Sequence, residues 1–197
     1  MTLPKKLLSL ILFGIALTSL FSLQPVQAYT VTLEQVGANV VANGSGALDL
    51  TGLNPFGGAL GSSNVTPVVG SIFTGSAGET MDGWSGFFGP NSFGGGSTTF
   101  ATSGSGDLVG IQPLYNALFV IRGYISDTPL LETATYNNAT FASLGVSPGT
   151  YEWTWGTGLP NQNFTLVIGT VPDGGTTISL LGWALLGLAA LRRKLNR

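Results

Sequence analysis

Eight carboxylates lie between Tyr29 and Thr170: Glu34, Asp49, Glu79, Asp82, Asp107, Asp127, Glu132 and Glu152. Arg122 is the single cation in that stretch, and histidine and cysteine are absent from the whole chain. Without histidine or cysteine there is no general base for a serine or cysteine hydrolase, no thiolate metal site and no disulfide. Lysine is also missing from this stretch, so neither a Schiff base nor a phosphate-gripping lysine is available. Carboxylates and hydroxyls remain, a set suited to glycoside hydrolysis if two acids such as Asp82, Asp107, Asp127 or Glu152 line one cleft. Each of these acids stands alone in a turn-rich stretch, so catalysis is not expected. The same isolation argues against calcium, which needs six to eight oxygens, and neither a metal site nor a cofactor is expected.

A second kind of chemistry is done to the chain rather than by it. Val171-Pro172-Asp173-Gly174-Gly175 is a flexible, extended peptide that suits the cleft of a processing enzyme. An apolar stretch follows from Ile178 to Leu191, and Arg192, Arg193, Lys194 and Arg197 make the end basic. As a helix this stretch is about 21 Å long, short for a hydrocarbon core of about 30 Å. At the other end come Lys5 and Lys6, an apolar run from Leu7 to Leu20, and small residues before Ala28. That order predicts a signal peptide over 1–28, cut by signal peptidase after Ala28 so that Tyr29 begins the mature chain. Cations at both outer flanks place the middle of the chain beyond the membrane under the positive-inside bias.

With its motif, short apolar helix and basic end, the segment 171–197 resembles the PEP-CTERM class of sorting signals in its VPDSG-like variant. Asp173 stands where the name-giving motif has Glu, and Gly174 where it has the second Pro. The resemblance implies an exported protein of a Gram-negative bacterium, anchored transiently in the inner membrane by a transmembrane sorting helix. An exosortase then processes it at the motif and delivers it to the cell surface or outside. The runs Val31 to Gly37, Gly44 to Leu53 and Thr135 to Gly156 are similar to stretches of exported PEP-CTERM proteins, a likeness that implies no activity.

The elements that must carry these groups read as strands. Between Tyr29 and Thr170 the chain has the size of one domain, and Gly, Asn, Ser and Pro interrupt every run before a helix could form. Alternation marks Tyr29 to Glu34, Asn39 to Ala42 and Ala47 to Leu50 as a meander. Later strands are expected near Val68 to Thr74, Trp84 to Phe88, Thr98 to Ala101, Asp107 to Ile111, Leu118 to Ile121, Thr133 to Tyr136, Thr150 to Trp155 and Phe164 to Ile168, with one helical turn within Ala139 to Leu144. The expected fold class is all-β, an antiparallel β-sandwich or jelly roll over 29–170. Gly83 to Gly96 reads as a mobile loop or hairpin rim.

Trp84, Trp153 and Trp155 are the candidates for a ligand-binding aromatic surface. Tyr151, Trp153 and Trp155 share one face of a strand, where core packing is the simpler expectation and stacking of a sugar ring the functional one. Extracellular polysaccharide is therefore the further partner considered for an exported chain. The scarcity of cations in the domain excludes nucleic acid.

Overall fold

The structure, a computed structural model, describes residues 27–169. These form a β-sandwich of two facing sheets with strands numbered in chain order. The first sheet runs, in space, β12 (Gly149–Thr154), β13 (Asn163–Ile168), β1 (Thr30–Val36), β2 (Asn39–Gly46), β11 (Leu130–Tyr136) and β8 (Ser103–Gly106). The second runs β3 (Asn54–Gly61), β6 (Glu79–Ser85), β10 (Ala117–Ile121), β9 (Val109–Gln112), β5 (Ser71–Thr74), β4 (Asn64–Thr66) and β7 (Thr99–Phe100). A single α-helical turn, α1 (Phe141–Leu144), is closed by a capping box between Thr140 and Ser143 and ends at Gly145 in the left-handed region.

The all-β sandwich expected from the sequence is present, and among its strands one pair departs from antiparallel pairing. β1 and β13 run parallel, Thr30 opposite Thr165 and Leu33 opposite Ile168. Parallel neighbours need a long connection, and here nearly the whole domain supplies it.

Cross-strand registry builds the core. In the second sheet Leu118 faces Trp84 and Ile111, Ile111 faces Ile72, and Ile72 faces Val65, which sets one apolar row across five strands. This row packs on Val31, Leu33, Val40, Ala42, Ala134, Phe164 and Leu166 of the first sheet. Strand alternation puts the next row of the second sheet on its opposite, outward face.

Three expectations are corrected. Ala47 to Leu50 is not a strand beyond a bridge at Ala47, because Leu48 N donates to the Tyr124 hydroxyl and Leu50 N to Ser126 Oγ instead of to a neighbouring strand. Gly83 to Gly96 is not a rim: Gly83 to Ser85 belong to β6, and Phe87 and Phe93 are buried. The backbone explains this, since Phe88 exchanges both hydrogen bonds with Thr154 and Phe93 bonds Pro67 and Ser147. Glycine-rich Asn54–Gly61 and Ser103–Gly106, outside the strands expected from the sequence, are strands held by their neighbours.

Trp153 is fully buried against Phe164, whereas Phe88 is 78% exposed. We expect Trp153→Ala to lower unfolding free energy in urea titrations by about 3–5 kcal/mol, and Phe88→Ala to shift it by less than about 0.5 kcal/mol.

Candidate functional site

The sorting residues Val171, Pro172, Asp173, Gly174 and Gly175, the apolar stretch 178–191 and the basic Arg192, Arg193, Lys194 and Arg197 lie outside the described residues, as does most of the signal segment. Their attachment points are visible. β13 ends at Ile168, and Gly169 N still donates to the Leu33 carbonyl at 3.1 Å, so strand pairing runs to within two residues of Val171. At the other end Ala47 N donates to the Gln27 carbonyl at 2.9 Å, Ala28 bridges Ala47, and Tyr29 is buried. The Ala28–Tyr29 bond therefore lies against the sheet in the folded chain. A peptidase cutting there must meet it as an extended peptide, before β1 has paired.

Tyr29 turns its ring onto Phe164 and donates its hydroxyl to Glu132 Oε1. Glu132 stands on the inward face of β11, opposite Gly44 of β2. The missing side chain at Gly44 makes the room, because a Cβ there would overlap the Glu132 carboxyl. Thr74 Oγ1 from the second sheet donates to the same Oε1 at 3.4 Å, while Oε2 has no hydrogen-bond partner among the described residues. Burial disfavours the charged form and outweighs the hydrogen bonds from Tyr29 and Thr74. The Asp107 charge adds to the same direction, and the Glu132 carboxyl is pushed up from 4.5 to about 7. Burial, and then the Glu132 charge, pushes the Tyr29 phenol well above its ordinary value too.

The other acids are occupied separately. Asp82 pairs with Arg122 at 3.7 Å on the surface and accepts from Gly123 N at 2.9 Å. Asp107 accepts from Leu131 N, and Glu152 from Asn163 Nδ2. Asp49 takes hydrogen bonds from Thr51 N and Gln162 Nε2, and Asp127 one from Asn161 Nδ2. Burial works against the Asp49 charge, but the hydrogen bonds from Thr51 and Gln162 outweigh it and hold the carboxyl below its usual range. Cavities of about 490, 440 and 250 Å³ are lined by no carboxylate. Among the described residues no cluster of three potential metal ligands occurs.

Trp84, Trp153 and Trp155 do not form an exposed platform. Trp153 and Trp155 are buried, their indole N–H groups donating to the carbonyls of Pro90 and Asp49 at 2.8 and 2.7 Å. Trp84 is half-buried against the core, with Nε1 enclosed and without a hydrogen-bond partner among the described residues. Sequence reasoning missed two features. Glu132 looks like any surface strand acid until Gly44 is known to face it. The phenylalanines that line the cavity of about 490 Å³, Phe73, Phe100 and Phe119, come from three strands distant in sequence, so their grouping is invisible without registry.

The folded chain holds the Glu132 proton more tightly than the unfolded chain, so this group's contribution to stability is fully present below about pH 4.5 and is lost as pH rises to about 7. We expect urea midpoints to fall across that window by an amount worth about 3 kcal/mol. In Glu132→Gln, which keeps an acceptor for Tyr29, that pH dependence should be gone.

No curated protein and no solved structure matches the chain. A family model, the VPDSG-CTERM motif, matches residues 170–195, beginning one residue beyond the last described position. The C-terminal segment that follows β13 is therefore a VPDSG-CTERM motif, a variant of the PEP-CTERM-like sorting signals.

Proposed function

We propose that this chain is an exported protein of the Gram-negative cell envelope or extracellular matrix. Signal peptidase removes residues 1–28, the short apolar segment 178–191 holds the chain transiently in the inner membrane, and an exosortase acts at Val171 to Gly175. The finished domain then resides at the surface or outside. The observation that carries this reading is the VPDSG-CTERM match at residues 170–195. Supporting it is the order of parts: the last strand ends at Ile168, so cleavage at the motif would release the sandwich without removing a strand.

The role proposed is structural or adhesive rather than catalytic. That reading is supported by the separate engagement of Asp82, Asp107, Asp127 and Glu152, each in its own loop or strand partnership. Arg122, the one described cation, is likewise committed to Asp82.

Mass spectrometry of the surface-released protein should find Tyr29 as the first residue and no peptide beyond Leu180. Deleting Val171 to Gly175 should leave the longer chain in the inner-membrane fraction. An unchanged mass and location after that deletion would overturn the proposal.

A further inference from the structure

The outward face of the second sheet carries a row of aromatic side chains. Registry places Phe56 opposite Gly83, Gly83 opposite Phe119, Phe119 opposite Gly110 and Gly110 opposite Phe73. Asn64 then faces both Phe73 and Phe100, so a single line crosses all seven strands. Aromatic and small residues alternate along it. The Phe56 ring lies over Gly83 and the Phe73 ring over Gly110, where any Cβ would strike the ring. Phe119 touches both rings, with centroids 5.7 Å from Phe56 and 5.8 Å from Phe73. Phe73 and Phe119 are themselves buried, packed with Met81, Leu108 and Ala117 in a small second core that holds the exposed rings at its margins in place.

Phe119, Phe73, Asn64 and Phe100 of that row line a cavity of about 490 Å³ that is open along the sheet. Its exposed apolar lining is Phe100 at 66% and Leu60 at 76%, and Phe56, 44% exposed, stands beside it against the Phe119 ring. Amides and a hydroxyl interrupt the apolar surface: Gln112, Asn64 and Ser62 also line the cavity. Asn64 is oriented by donating Nδ2 to the Ser62 carbonyl at 2.8 Å, which leaves its Oδ1 as an acceptor. No ionisable side chain lines this space, although the domain is rich in carboxylates.

From this chemistry we infer that the groove binds a neutral polysaccharide chain. Aromatic faces and edges take the C–H faces of sugar rings, uncharged amides exchange hydrogen bonds with hydroxyls, and a groove without charge offers nothing to compensate a uronate, a phosphate or an amine. A lipid chain would leave the Asn64 and Gln112 amides desolvated and unpaired. A track spanning the full width of a sheet suits an extended polymer rather than a compact metabolite. The site differs from the Trp84, Trp153 and Trp155 surface considered from sequence, and it stands apart from the processing of the tail.

The test is equilibrium binding of the full-length chain in lipid nanodiscs to a panel of neutral hexose oligosaccharides, with uronate-containing oligosaccharides, fatty-acid vesicles and self-association as the competing readouts. Neutral oligosaccharides should bind, and Phe56→Ala and Phe100→Ala should each weaken binding about tenfold. Tyr115→Ala, an exposed aromatic outside the groove, should leave it unchanged. Circular dichroism and urea midpoints of each variant separate lost binding from lost folding. The inference is overturned if no neutral oligosaccharide binds, if binding survives both phenylalanine substitutions in folded protein, or if the same substitutions abolish vesicle binding, uronate binding or self-association instead. Because the assay reads binding alone, its failure leaves the sorting proposal standing, and a tail that is never cut leaves this one standing.

Discussion

A carboxyl group sealed between two sheets must be either neutral or fully compensated, and the middle of this sandwich is arranged around that requirement at Glu132. Gly44 vacates the space for it, Tyr29 donates to it from the start of β1, and Thr74 reaches it from the opposite sheet. These contacts join the two sheets and tie both to the first residue of the expected mature chain. Tyr29 is bound into the fold at both ends of its side chain: its ring packs on Phe164 of β13 while its hydroxyl engages Glu132 of β11.

The parallel pairing of β1 with β13 follows from the same compactness. It brings the beginning and the end of the domain side by side in one sheet, so that the chain enters at Tyr29 and leaves after Gly169 at opposite ends of two neighbouring strands. A domain built in this way cannot complete its central sheet until the C-terminal strand has arrived. The contacts that close it are among the longest-range in the chain, which places it with folds that assemble slowly and late. On the proposed export route, such an arrangement favours folding after the whole middle has crossed.

The strands that were legible beforehand are those with strict alternation of apolar and polar residues, such as Thr30–Val36 and Asn163–Ile168, where periodicity is a property of the segment itself. Asn54–Gly61 and Ser103–Gly106 were not legible, because they are mostly small and exposed and owe their extended form to hydrogen bonds from β6 and β11. The same division holds for candidate sites. The sorting motif is a linear peptide, and adjacent residues suffice to read it. The Glu132 cluster and the phenylalanine row draw on Tyr29, Gly44, Thr74 and Glu132, and on Phe56, Phe73, Phe100 and Phe119, which only pairing brings together.

Local pattern and composition alone determined the β class, the acidic and histidine-free domain, and the address at the C-terminus, since each depends on residue type or on neighbours within a few positions. Tertiary structure decided which aromatics are core and which are surface. Tyr151, Trp153 and Trp155 share one strand face, yet Trp153 and Trp155 are enclosed by the Phe87–Phe93 segment and by the loops around Asp49 and Gln162. Phe56 and Phe100, in stretches of small residues, stay exposed, Phe100 on the lining of an open groove and Phe56 beside it. The physical reason is that burial depends on what lies on the far side of a strand, and a strand's own sequence carries no record of that.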